Sequence, residues 1–213
     1  MRVASTTISN LTIKGGQASW GAGILIVASA TATLNWVNVT GNAATSDAGG
    51  IQNDGTLTIN DSTIAGNTSG SYGGGIYNGG SGTLTISRST ISGNTATLGA
   101  GGIESNGGDV TILNSTISGN TANGDVGGGI EHDAASGTLS INNSTIANNV
   151  AGSGIPGGGI AVRNGTAKIR NTILADNTAG GSGPDCITNS GKSLTSEDYN
   201  LIENTSGCTI TGA

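Results

Sequence analysis

The chain of 213 residues has few of the side chains on which ordinary globular domains depend. Only 9% of the residues are charged and 2% are aromatic, and there are no Phe, two Pro and one His. No apolar run approaches the roughly 18 to 20 residues that a membrane-spanning helix needs. Residues with high helix propensity are also scarce, which argues against a helical bundle. Because only 2% of the residues are aromatic, a core rich in aromatic side chains is not expected either.

Positive charge is scarce as well. Seven Lys and Arg stand against thirteen Asp and Glu, so the formal net charge is -6 and the pI is near 4.4. The basic surface that binds nucleic acid is therefore absent, and we expect no nucleic-acid partner. The sequence also contains no phosphate-binding loop and no series of calcium-binding repeats, so we expect no cofactor and no metal.

The abundant residue is Gly, with 40 copies, and such a composition would ordinarily suggest a flexible, low-complexity chain. A repeat opposes that interpretation. A Gly-rich tripeptide followed by Ile recurs at intervals of about 25 to 30 residues. The Ile residues of this element are Ile24, Ile51, Ile76, Ile103, Ile130 and Ile160.

Two further elements follow each Gly-Ile element. The second alternates polar and apolar residues, as in Thr56-Leu57-Thr58-Ile59, which is the pattern of a strand with one buried face. The third places an apolar residue five positions later and closes on Gly-Asn or a close variant, which we expect to stack as a ladder of Asn side chains. Its apolar column is Val39, Ile64, Ile91, Ile117, Ile146 and Leu174. Stacked coils bury these residues where one coil could not, so the repeat predicts an all-β parallel β-helix of about seven coils of about 27 residues, with three short strands per coil.

Residues 82–95, with the sequence Gly-Thr-Leu-Thr-Ile-Ser-Arg-Ser-Thr-Ile-Ser-Gly-Asn-Thr, resemble the repeat of bacterial cell-surface right-handed parallel β-helix proteins. These are often described as polymorphic outer-membrane-protein-like repeats. Residues 171–177, 183–186, 199–202 and 206–208 resemble the end of such an array. The resemblance implies a right-handed helix and a secreted or surface location, and it says little about activity. Since the sequence shows no signal peptide and no C-terminal anchor, we expect a segment of a larger protein or a short family member.

The repeats occupy residues 1–180, and we expect residues 181–213 to form a C-terminal cap. Cys186 and Cys208 are the only cysteines and both lie in this segment. A metal or redox pair is the alternative to a disulfide, but no His or further Cys lies nearby and there is no C-x-x-C motif. An even cysteine count in an extracellular chain therefore predicts a disulfide between them.

The first face of the predicted coil carries its most varied outward residues. Glu104 and Glu131 occupy equivalent positions on adjacent coils, so their carboxylates are predicted about 5 Å apart, near the spacing of a retaining glycosidase pair. His132, a possible general base, and Asp133 complete the candidate catalytic group. The alternative is a solvated polar surface in which Asp133 pairs with Arg163 and His132 points inward.

Other outward residues on this face include Gln52, Asp54 and Tyr77. Enzymes that act on sugars commonly present aromatic platforms to the substrate. The aromatic residues do not form an obvious row in the sequence, and this counts against an enzyme. The aromatic residues considered are Trp20, Trp36, Tyr72 and Tyr77.

The second face is more regular, because the residues on either side of each inward Leu are mostly Thr. The regular grid resembles the flat Thr-x-Thr arrays of ice-binding β-solenoids, although Thr is also favoured on any exposed strand. Asp109 and Lys168 interrupt it. The candidate ice-binding residues are Thr31, Thr33, Thr56, Thr58, Thr83, Thr85, Thr111 and Thr138.

These observations favour a non-catalytic extracellular or cell-surface module that acts as a stalk, an adhesin or an interaction surface. Its partner would be a host or environmental glycan or protein. The first alternative is an ice-binding protein, and the second is a polysaccharide lyase or glycoside hydrolase.

Overall fold

The computed structural model describes residues 1–3 and 5–212, and all regular secondary structure in this part of the chain is β-strand. The strands form four parallel sheets that wind into a right-handed solenoid of about seven coils, so the predicted parallel β-helix is confirmed. Each strand pairs with its counterpart one coil away, for example Leu57 with Leu84. Within the described residues, no helix is long and apolar enough to cross a membrane.

The first sheet follows the Gly-rich element and has eight strands: Arg2–Val3, Ile24–Ile26, Ile51–Asn53, Ile76–Asn78, Ile103–Ser105, Ile130–His132, Ile160–Val162 and Cys186–Thr188. The second sheet has nine: Thr6–Ser9, Thr31–Asn35, Thr56–Asn60, Thr83–Ser87, Val110–Leu113, Thr138–Asn142, Thr166–Arg170, Leu194–Ser196 and Ile210–Thr211. The third sheet has eight: Thr12–Lys14, Asn38–Thr40, Thr63–Ala65, Thr90–Ser92, Thr116–Ser118, Thr145–Ala147, Ile173–Ala175 and Leu201–Ile202.

A fourth sheet was not predicted, and it corrects the expected three strands per coil to four. Its seven strands have two residues each: Gln17–Ala18, Ala43–Ala44, Thr68–Ser69, Thr95–Ala96, Thr121–Ala122, Val150–Ala151 and Thr178–Ala179. They follow the Gly-Asn corners. A two-residue strand cannot display an alternating pattern of its own, and its pairing is visible only once the coils are stacked.

The core is a set of aliphatic columns that run along the solenoid. The Ile that follows each Gly-rich tripeptide is fully buried from Ile24 to Ile160, and Cys186 takes the next place in that column. The third-sheet column from Val39 to Leu174 is fully buried as well. Because each coil adds only a few aliphatic side chains, a coil is stable only against its neighbours.

Asn side chains fill a buried corner between the third and fourth sheets and form the predicted ladder. The Nδ2 of Asn94, for example, donates to Oδ1 of Asn120 at 2.9 Å and to the carbonyl of Ile64 at 3.0 Å. The ladder members are Asn42, Asn67, Asn94, Asn120, Asn149 and Asn177. It ends at Asp185, whose Oδ1 accepts from Asn177 Nδ2 and whose Oδ2 accepts from the Asn204 amide. A carboxylate suits that end because it accepts on both oxygens.

The corner between the second and third sheets turns at one residue with a left-handed backbone. These residues, with φ between 47° and 56°, are Asn10, Trp36, Asp61, Arg88, Asn114, Asn143 and Asn171. Asn tolerates this conformation better than most residues, which explains its frequency here. At two adjacent corners, Arg88 Nε and Nη2 each donate to the Asp61 carboxylate at 2.8 Å.

The last coil carries the disulfide that the cysteine count predicts. Cys186 and Cys208 are bonded, with their Cα atoms 5.6 Å apart. Cys186 is fully buried at the end of the first-sheet Ile column, while Cys208 is partly buried. The bond therefore ties the segment around Cys208 to the end of the core.

Candidate functional site

A groove runs along the outside of the first sheet over the first coils. Its floor is the outward column of that sheet, in which Arg2 pairs with Leu25, Leu25 with Gln52, and Gln52 with Tyr77. Parallel strands lie about 4.8 Å apart, so these four positions extend over about 14 Å. The groove encloses about 510 Å³.

The loops on either side of these strands form the walls. Trp20 and Asp47 line one wall, and each directly precedes a corner residue with positive φ, Gly21 and Ala48. The opposite wall follows the strands and includes Asp54. The remaining residues of that wall are Val27, Ala28 and Gly80. The position before this corner thus supplies a side chain to the same wall in two adjacent coils.

Aromatic rings face this groove. Trp20 is 59% exposed, although a large apolar side chain is usually buried. Tyr77 is partly exposed, and its ring centroid lies 6.5 Å from that of Tyr72 with the rings tilted by 45°. Tyr72 precedes the corner residue Gly73 and so is equivalent to Trp20 and Asp47. Trp20 and Tyr77, which show no obvious relation in the sequence, therefore line one groove.

The polar groups of the groove are mostly acceptors. Gln52 is only 8% exposed, its Nε2 donates to Asp54 Oδ1 at 2.9 Å, and its Oε1 has no hydrogen-bond partner among the described residues. Asp47 Oδ1 accepts from the Tyr72 amide at 3.3 Å. Burial raises the pKa of Tyr77 above its usual value, and the charges of Asp47 and Asp54 add to this increase. With two carboxylates and one guanidinium, that of Arg2, the lining of the groove carries a net negative charge.

The groove ends where Glu104 follows Tyr77 in the same column. Glu104 and Glu131 are Cα partners on adjacent strands, as predicted, but they are 1% and 2% exposed rather than on the solvated surface. The Ala100 amide donates to Glu104 Oε2 at 2.8 Å, which fixes the loop before Ile103 over this side chain. A polymer on the surface could not contact either carboxyl group in this structure.

Burial and mutual proximity alter the ionisation of this pair. Burial, followed by the charge of Glu131, raises the pKa of Glu104 well above its usual value. Burial and the charge of Asp125 raise the pKa of Glu131 to about 7, although Arg163 opposes this increase. Arg163 Nη1 donates to Glu131 Oε1 at 2.9 Å and to Asp125 Oδ2 at 3.0 Å. The remaining oxygen of Glu131, Oε2, is buried and has no hydrogen-bond partner among the described residues.

The other two candidate catalytic residues lie apart from this pair. His132 is fully buried and points inward, where its Nε2 lies 3.2 Å from the Gly137 carbonyl and burial lowers its pKa. Asp133 accepts a hydrogen bond from Asn164 Nδ2. The predicted pairing of Asp133 with Arg163 is wrong, because Arg163 instead pairs with Asp125 and Glu131. The strand alternation that sends Glu131 outward sends His132 into the core. Within the described residues, no group of three or more His, Cys, Asp or Glu is placed to hold a metal ion.

Comparison with known families agrees with this architecture. The sequence model of a family described as "Right handed beta helix region" matches residues 2–178 and again residues 50–213. The chain belongs to the right-handed β-helix family. Among curated proteins and among solved structures, none matches the chain. Membership of the β-helix family therefore establishes the fold and leaves the function to the surface residues.

The Thr residues of this β-helix form the predicted columns on the second sheet. Thr56 pairs with Thr31 and Thr83, and Thr85 pairs with Thr58 and Thr111. The column residues Thr31, Thr56 and Thr83 are exposed, whereas Thr33, Thr58, Thr85, Thr111 and Thr138 are half-buried. The grid ends at Lys168, whose Nζ lies 3.8 Å from Glu197 Oε1.

The third sheet has a Thr column that was not predicted. It consists of Thr63, Thr90, Thr116 and Thr145 in register on four adjacent coils. The third sheet lacks a second Thr in each strand, since Ala65 and Ser92 occupy the other outward position. The two-column arrangement is thus specific to the second sheet, while single Thr columns are not.

Proposed function

We propose that this β-helix is a non-catalytic glycan-binding module of an extracellular or cell-surface protein, and that the groove from Arg2 to Tyr77 is its binding surface. The observation that supports this most strongly is that the exposed Trp20 and the ring of Tyr77 line one groove of about 510 Å³. A concave surface with aromatic faces and a few oriented polar groups is typical of a ligand-binding site.

The lining suits a sugar better than a purely apolar ligand. The faces of Trp20 and Tyr77 offer apolar area for the C–H surfaces of a sugar ring. Asp47, Asp54 and Gln52 offer oxygens that accept hydrogen bonds from sugar hydroxyls. Since the groove is open to solvent along the solenoid, an extended chain could lie in it.

The buried acids support a binding role over a catalytic one. A retaining glycosidase needs two carboxyl groups that flank the scissile bond in contact with substrate. Glu104 and Glu131 have the required register, but both are covered and the Arg163 guanidinium contacts Glu131. We therefore propose that this pair has a structural rather than a catalytic role.

The disulfide supports an extracellular location for the module. Cys186 and Cys208 are bonded, and disulfides persist in oxidising compartments such as the cell exterior. The sequence resemblance to bacterial surface β-helix proteins agrees with this proposal. A rigid solenoid that carries a binding groove on its side fits an adhesin.

Glycan-array binding of the purified chain tests the proposal. We expect binding to at least one glycan without turnover, and we expect Trp20→Ala and Tyr77→Ala each to weaken it at least about tenfold, as for loss of a buried aromatic contact at a binding site. Trp36→Asn is the matched control, because Trp36 is 61% exposed and lies on the corner between the second and third sheets. Absence of binding across the array, or equal losses for Trp20→Ala and Trp36→Asn, would refute the groove as a glycan site.

Ice binding is a second candidate, supported by the in-register pair of Thr columns on the second sheet. Adjacent coils repeat at about 4.8 Å and alternate side chains within a strand lie about 6.7 Å apart, which gives a regular grid of hydroxyl and methyl groups.

A further inference from the structure

We propose that the groove selects glycans with protonated amino groups, such as polymers of glucosamine, over acidic glycans built from uronic acids. This inference rests on the proposed glycan-binding function and names the ligand class of the same groove. It follows from the chemistry of the groups that face the ligand.

The groove presents acceptors where an ammonium group would need them. Asp47 and Asp54 line opposite walls, and neither forms an ion pair with a Lys or Arg among the described residues. Between them lies Gln52, whose Oε1 is buried and has no partner within the described part of the chain. A buried amide oxygen without a partner is costly, so a rotation of the Gln52 amide that brings this oxygen to a donor of the ligand would relieve the cost. An ammonium group supplies three donors and a positive charge.

The aromatic residues favour the same ligand. The faces of Trp and Tyr rings carry negative potential and attract cations within about 6 Å. Trp20 and Tyr77 therefore add to the attraction of the two carboxylates instead of opposing it. A uronate would bring its negative charge against both.

Positive charge in the groove is limited to one end. Arg2 is the one Lys or Arg among the described residues that line it, and it belongs to the first strand of the sheet. The chain as a whole has a net charge of -6. An acidic polymer that covered the groove would meet two carboxylates for each Arg, and like charges at close range oppose binding.

Titration of the full chain with matched oligomers tests this inference. The probes are glucosamine oligomers, their N-acetylated counterparts and polygalacturonate oligomers of equal length, at pH 5.5 and low salt. We expect the glucosamine oligomers to bind at least about tenfold more tightly than the acetylated ones, since a charge-assisted hydrogen bond is about twice as strong as a neutral one. We expect no binding of polygalacturonate.

Charge-neutral variants separate the groove from general attraction between an acidic protein and a cationic polymer. Asp47→Asn and Asp54→Asn should each weaken glucosamine binding about tenfold. Asp176→Asn removes the same charge from an exposed corner that does not line the groove, and it should leave binding unchanged. Equal losses in all three variants would overturn the inference, as would equal binding of the acetylated oligomers or preferential binding of polygalacturonate. In these cases the glycan-binding function itself would stand if Trp20→Ala still abolished binding, whereas binding of no glycan at all would remove both proposals.

Discussion

The carboxyl groups of Glu104 and Glu131 lie side by side under the loops of the first sheet, and together they hold a proton that free carboxyl groups would lose at neutral pH. Their Cα atoms pair in register, and both side chains are almost fully buried. The pKa of Glu131 is raised to about 7, and that of Glu104 is raised well above its usual value. The folded chain therefore binds more protons than the unfolded chain between about pH 4.5 and pH 7.

This excess of bound protons predicts that stability falls as the pH rises. A group whose pKa is raised by folding contributes its full stability below the pKa of the unfolded state, and this contribution is lost as the pH rises through the folded pKa. The free energy of unfolding should decrease by up to about 1.4 kcal/mol per pH unit for each proton concerned. Thermal unfolding followed by circular dichroism from pH 4 to pH 9 measures this.

The variant Glu104→Gln isolates the contribution of the pair. Its amide oxygen can accept from the Ala100 amide, as Glu104 Oε2 does, and its uncharged NH2 group can donate towards Glu131. We expect a flatter pH profile and higher stability than the parent at pH 8. Glu203→Gln is the control, because Glu203 is exposed and its Oε2 accepts from the Asp176 amide in a similar way. A profile for Glu104→Gln as steep as that of Glu203→Gln would contradict the assignment.

The Asn ladder should be a major source of stability. Replacement of Asn94 by Ala removes the Asn94 side-chain donor of the Ile64 carbonyl and the Asn94 acceptor of the Asn67 backbone amide. It also removes one of the two hydrogen bonds of Asn120 Oδ1 and one of the two of Asn67 Nδ2. Each buried polar group that loses its partner costs about 1 to 3 kcal/mol, so we expect a loss above about 3 kcal/mol. Asn114→Ala, at an exposed corner with φ of 49°, should cost about 1 kcal/mol. Urea unfolding compares them, and similar losses would show that the ladder adds little beyond corner geometry.

The fold could be predicted from the sequence because its signal is repeated about seven times. The Ile columns, the Gly-Asn corners and the register of Glu104 with Glu131 all follow from aligning the repeats. Burial of those two residues could not be predicted in this way, because it depends on where the loop around Ala100 lies. Loops change length from coil to coil and therefore carry no periodic signal.

The groove was missed for a related reason. Trp20 and Tyr77 lie 57 positions apart in the sequence, on a loop and on a strand of different coils. The usable signal was the position just before each corner residue, which aligns Trp20 with Asp47 and Tyr72. Only the stacking of coils converts that alignment into one wall of a groove.

The disulfide should stabilise the end of the chain more than its middle. Cys186 and Cys208 are 22 residues apart, and closing a loop of this size contributes about 3 kcal/mol in the loop-entropy model. Cys208→Ser should therefore speed amide hydrogen exchange in residues 189–212 and leave the coils around Asn94 nearly unchanged. Reduction of the parent chain should reproduce the effect, and reduction of the variant should add nothing. Uniformly faster exchange along the whole solenoid would contradict a local role.

Ice binding can be separated from ordinary Thr enrichment by comparing two sheets of the same molecule. Thr85 lies inside the two-column grid of the second sheet, between Thr58 and Thr111, whereas Thr116 lies in the single column of the third sheet. A Tyr ring at either site projects above its sheet, but only Thr85→Tyr breaks a grid that has two Thr in each of three adjacent strands. If the second sheet binds ice, the parent chain should show thermal hysteresis, Thr85→Tyr should lose it and Thr116→Tyr should retain it. Lack of hysteresis in the parent, or its loss in both variants, would refute ice binding by this surface and would assign the Thr columns to the preference of β-branched polar residues for exposed strands.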